Sequence, residues 1–158
     1  MAKNHIQNEV VPCHDGLNVL NDLKQIELQR KLSVDESRRI RVVVDKLAKK
    51  SLHTIETNNY HEHLSKVDVT NGHQLIIHKR FFKETFSKNR NDRWLCKTMD
   101  LSLRYEEWMP NSVYVRTEPG RDHPCPFLVY YATCDGNTIE LKVRVEEKLN
   151  VHFMRLLY

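Results

Sequence analysis

Asp135-Gly136 lies between two runs rich in β-branched and aromatic residues, within the stretch from Pro126 to Glu146. An aspartate-glycine pair in that setting is the strongest short signal for a two-residue hairpin turn, because both central positions need positive φ. With these residues as the turn, Thr133 faces Thr138, Tyr130 faces Leu141 and Leu128 faces Val143. Alternation then sorts the side chains. One face carries Leu128, Tyr130, Ala132, Ile139, Leu141, Val143 and Val145. The other carries Phe127, Val129 and Tyr131 beside Glu140, Lys142, Arg144 and Glu146. Such a ribbon needs a helical or sheet layer against its apolar face.

The rest of the chain supplies that layer at its start. Leu17, Leu20 and Leu23, widened by Val19 and Ile26, predict a helix to about Lys31, with Asp15 as its cap. Ser33-Val-Asp-Glu36 is a capping box, and Ile40, Val43, Val44, Leu47 and Ser51 make the stripe of a second helix. Arg39, Lys46 and Lys50 form a basic edge on that helix. The pattern breaks up between Ser51 and Tyr60. Val67 to Val69 and Leu75 to Ile77 flank Asn71-Gly72, a second hairpin signal. Phe81, Phe82 and Phe86 predict a short helix from about Arg80 to Ser87. Met99, Leu101, Leu103 and Tyr105 alternate with polar residues and predict a strand, as do Val113 to Arg116 and the segment with Val151 and Phe153. The expectation is α+β: two N-terminal helices packed against a mainly antiparallel sheet of about five or six strands. Residues 1–14 are polar and unpatterned and are expected to form a flexible tail, with 15–158 as a single domain. The N-terminus has no apolar signal core, which points to an intracellular protein of the cytoplasm or nucleus. Cys13, Cys96, Cys125 and Cys134 lack ligand spacing and read as reduced thiols, and no cofactor is expected.

Two surfaces stand out. The face of the central hairpin with Phe127, Val129, Tyr131, Lys142 and Arg144 has aromatic anchors fringed by charge, the make-up of a protein interface. The first expectation is therefore a non-catalytic protein-binding subunit or adaptor, its partner another chain or a second copy of this one. The alternative is nucleic-acid binding, RNA included. Charge is mild overall at +4 but concentrated in Lys79, Arg80, Lys83, Lys88, Arg90, Arg93 and Lys97, interleaved with Phe81, Phe82, Phe86 and Trp94. Cations neutralise phosphates, and aromatic rings stack on unpaired bases.

Catalytic readings are weaker. Glu140-x-Lys142 on a strand resembles part of the PD-(D/E)xK signature of metal-dependent nucleases, in which acids hold the metal and lysine assists the attacking water. The upstream acid available outside the turn is Asp122, nine residues beyond the position opposite Glu140. In extended chain that is about 30 Å, so a sharp fold-back would be required. His53, His61, His63, His73 and His78 cluster in sequence without the helical His-Glu-x-x-His spacing and read as surface histidines.

Overall fold

The computed structural model describes residues 12–122 and 124–158. Helices α1 (Pro12–Gln29) and α2 (Val34–Ser51) come first. Strands β1 (His53–Thr57), β2 (Tyr60–Asp68) and β3 (Gln74–His78) follow as a meander. Next come α3 (Lys79–Asn89), α4 (Leu95–Leu103), the single turn α5 (Tyr105–Trp108) and a 3-10 turn, Met109–Asn111. A second meander closes the chain: β4 (Val113–Glu118), β5 (Phe127–Cys134), β6 (Asn137–Val145) and β7 (Leu149–Leu157). Among the described residues the seven strands form one sheet in the order β1-β2-β3-β7-β6-β5-β4.

The central hairpin has the expected register, with Thr133 opposite Thr138, Tyr130 opposite Leu141 and Leu128 opposite Val143. Asp135 (φ +52°) and Gly136 (φ +76°) both take the left-handed turn conformation. Arg104 Nη1 holds the Asp135 carboxylate at 2.9 Å, which ties this turn to the joint between α4 and α5. Tyr130, Ala132, Ile139, Leu141 and Val143 are buried in one core with Leu20, Leu23, Ile40, Phe81, Met99 and Trp108. All helices of that core therefore cover the same face of the sheet.

Several expectations need correction. Among the described residues the sheet has seven strands, not five or six, and it is mixed. Its two antiparallel meanders meet in a short parallel contact, Leu75 opposite Leu149 and Ile76 opposite Asn150. Strand β1 carries no readable alternation because it is an edge strand exposed almost throughout. Asn58 (φ +47°) and Asn59 (φ +70°) form its hairpin turn to β2. The segment holding Met99, Leu101 and Leu103 is helix α4, not a strand. Leu95, Cys96, Thr98, Met99, Leu101 and Ser102 are all buried. A helix with α1, α2 and α3 around it and β7 beside it is apolar over most of its circumference, and so mimics a period of two. Asp15 falls inside α1 rather than at its cap. Of the expected tail, residues 1–11 lie outside the described residues, and Pro12 to His14 are helical.

Beyond Asn150 strand β7 loses β3 as a neighbour, and α3 replaces it. Thr85 Oγ1 accepts from the Met154 amide at 3.2 Å, and Asn89 Nδ2 donates to the Met154 carbonyl at 2.9 Å. Both side chains are buried, so these bonds satisfy backbone groups that a sheet edge would leave unpaired. This is what fixes α3 against the sheet.

A buried carboxylate performs a similar service for α4. Trp94 at its N-cap provides no side-chain acceptor. Glu27 reaches across from α1 instead, accepting from the Cys96 amide at 2.7 Å and the Lys97 amide at 2.8 Å. Burial pushes the Glu27 carboxyl above its ordinary range, while the two amides pull it back.

The α1–α2 joint is held by the capping box and by Arg30, whose Nη1 lies 2.7 Å from Glu36 Oε1. Arg30 and the Ser33 amide hold the Glu36 carboxyl down at about 2, from an ordinary 4.5. A depressed carboxyl adds stability above its unfolded value and loses it as pH falls through the folded one. The melting temperature of the wild type should therefore fall more steeply than that of Glu36→Gln between pH 4.5 and about 2. Parallel curves would show that the joint does not depend on this charge.

Candidate nucleic-acid interface

Helix α3 presents Phe81 and Phe82 inward, 0% and 2% exposed, because they sit one turn from Thr85 and Phe86 on the side facing the core. Its other sides are left to Lys79, Arg80, Lys83, Ser87 and Lys88, all exposed. Helix α2 packs alongside through Val44 and Ala48. Between the two helices runs a groove of about 650 Å³. Val44, Ala48, Phe82 and Phe86 form its floor and apolar wall, and Arg41, Lys79, Arg80, Lys83 and Arg90 stand around it. Asp45 and Glu84 are the acids of its lining. Among the described residues none of the five cations has an ion-pair partner.

The opposite face of the sheet is organised differently. Glu140 is 2% exposed there. Arg155 Nε lies 2.7 Å and Lys142 Nζ 3.8 Å from Glu140 Oε1, and Arg116 Nη2 lies 3.4 Å from Oε2. Lys142 also binds Glu118, whose carboxyl Lys142 and Arg116 hold below the usual range. Arg116, Lys142 and Arg155 are thus spent on internal acids, while the cations of the groove are not.

The expected site residues divide accordingly. Lys79, Arg80, Lys83 and Arg90 converge on the groove, joined by Arg41, which the sequence reading missed. Its position beside Val44 and Ala48 on the helical wheel is the available signal, and the packing of α2 on α3 gives it meaning. The other members of the basic stretch do not join them. Lys88 lies over the Phe153 ring at 5.5 Å. Arg93 and Lys97 lie over the Trp94 ring at 4.1 and 4.5 Å, and Arg93 donates to the Glu27 carbonyl. Phe81 and Phe82 belong to the core and offer no stacking face. Arg39, Lys46 and Lys50 lie on the far side of α2 from Arg41.

On the hairpin, Val129 is fully buried, and Phe127 and Tyr131 are half-buried. Arg144 covers Phe127 and Arg116 covers Tyr131, each 5.8 Å from the ring centroid. Lys142 retains 12% and Arg144 17% of its side-chain exposure. The aromatic anchors are therefore covered largely by side chains of their own sheet. The more exposed apolar residues nearby are Val113, Tyr114 and Val115 on edge strand β4.

The Glu140-x-Lys142 pair has Glu118, not Asp122, as its neighbouring acid. Among the described residues no group of three or more His, Cys, Asp or Glu side chains is arranged to hold a metal ion. His53 pairs with Glu106 at 3.2 Å, His63 with Thr54 at 3.3 Å, and His73 with Tyr130. No helix among the described residues is long and apolar enough to cross a membrane.

Comparison with known proteins gives no relative: no family model, no curated protein and no solved structure matches the chain.

Proposed function

We propose that the protein binds single-stranded nucleic acid, gripping the phosphate backbone in the groove between α2 and α3. The observation that carries this reading is the convergence of Arg41, Lys79, Arg80, Lys83 and Arg90, without internal partners, on one concave surface. Cations left exposed together repel one another, and a polyanion relieves that repulsion while releasing its own counterions. Phe86 at the groove wall gives a partly exposed ring against which a base can rest. A single strand suits a recess better than a duplex does, since α3 is half sunk in the core and does not project as a groove-reading helix.

Reversing Lys83→Glu together with Arg90→Glu should weaken oligonucleotide binding about tenfold or more. Arg39→Glu with Lys46→Glu, the same charge change on the far side of α2, should weaken it about twofold or less. Fluorescence anisotropy with a labelled single strand measures both. Equal losses in the two variants would reduce the reading to net charge alone.

A second reading, a protein partner, rests on edge strand β4. Val113, Tyr114 and Val115 are 55%, 38% and 43% exposed there, and an incoming strand can pair with such an edge. The register shift between Tyr114 and Arg116 interrupts the edge, which is how sheets discourage pairing. This reading therefore takes second place.

A further inference from the structure

Where β3 and β7 separate, a recess of about 270 Å³ opens, lined by His78, Arg80, Arg144, Glu146, Asn150, Val151 and His152. It is built by an irregularity in the sheet. Lys142 pairs with Phe153 but Val143 pairs with Val151, so His152 is an extra residue, bulged out of the ladder. Bulges re-aim side chains, and this one brings an imidazole to the recess. Arg144 enters from β6. Its Nη1 lies 3.7 Å from Glu146, while its Nε is buried and has no hydrogen-bond partner among the described residues. Arg80 enters from the first turn of α3 and lines this recess as well as the groove. Burial lowers the His152 pKa, and Arg144, Lys88 and Arg80 lower it further against the pull of Glu84, whose carboxylate lies 3.9 Å from His152 Nε2.

We infer that this recess is an end site, which takes the terminal phosphomonoester of the strand lying in the groove. The inference rests on the nucleic-acid reading of the groove. Its chemistry is distinct: an end phosphate carries more charge and more open oxygens than an internal diester. The planar Arg144 fork can meet two of those oxygens, and Arg80 carries the strand from the groove to the recess.

The test compares three single strands of one length and sequence, bearing a 5′-phosphate, a 3′-phosphate or hydroxyls at both ends. One of the phosphorylated strands should bind about tenfold more tightly than the hydroxyl strand. Arg144→Ala should abolish that preference and leave hydroxyl-strand affinity within about twofold. Arg39→Ala, which removes one charge from the far side of α2, should keep the preference. If Arg144→Ala does not fold, as judged by its thermal melt, Arg144→Lys decides: it keeps the charge, loses the fork and should lose most of the preference. Equal affinity for all three strands in the wild type, with binding intact, overturns the end site and leaves the groove standing. A preference that survives in the Arg144 variants also overturns it. Failure of every strand to bind overturns the groove reading, and the end site with it.

Discussion

Glu140→Ala should destabilise the fold by about 3–5 kcal/mol, measured by urea unfolding at neutral pH. The carboxylate is almost fully buried and faces Arg116, Lys142 and Arg155. Its removal leaves Lys142, itself 12% exposed at the side chain, as a buried cation with Glu118 as its one remaining ion-pair partner among the described residues. The effect is asymmetric. Arg155 is 49% exposed at its side chain, so Arg155→Ala should cost no more than about 1 kcal/mol. Replacing Glu140 and Lys142 together with methionine should cost less than Glu140→Ala alone, since no charge is then stranded. A loss below about 1 kcal/mol for Glu140→Ala would show that water reaches this cluster and that the open sheet face is not the closed ion lattice described above.

Glu27→Ala should cost about 3 kcal/mol, since it strands the Cys96 and Lys97 amides at the buried start of α4. The damage should be local at first. Amide exchange should rise in α4 and at the α1 contact before it rises in β5 and β6, because the central hairpin does not depend on that cap. Glu27→Gln keeps the shape and one acceptor and should lose roughly half as much. Unchanged exchange at Cys96 and Lys97 in Glu27→Ala would mean that these amides find another acceptor.

These two carboxylates show where sequence reading reaches its limit. The central hairpin was legible because its turn chemistry and its alternation are both local, and they agree on one register. The capping box at Ser33 was legible for the same reason. Glu27 reads in sequence as one more polar residue on an amphipathic helix, because its partners are 69 and 70 residues away. Helix α4 was misread because burial on several sides erases the polar stripe that marks a helix. Strand β1 was missed because exposure on both faces erases alternation.

The candidate site was half legible. Four of its five cations, Lys79, Arg80, Lys83 and Arg90, lie in one basic stretch, but their neighbours Lys88, Arg93 and Lys97 belong to other surfaces. Helical geometry separates residues that sequence places side by side. Arg41 joins the groove only because α2 packs on α3. Phe127 and Tyr131 had the composition of an interface, but Arg144 from the facing arm of the hairpin and Arg116 from β4 cover them in the fold.

The most direct test of the groove is the salt dependence of single-strand binding by the full chain. Each phosphate contact contributes about −0.7 to the slope of log K against log salt, so five cations predict a slope near −3.5. The Lys83→Glu, Arg90→Glu variant, with three of the five cations left, should show a slope of about −2. A slope near zero in the wild type, or one unchanged by the double reversal, would contradict binding of nucleic acid in the α2–α3 groove.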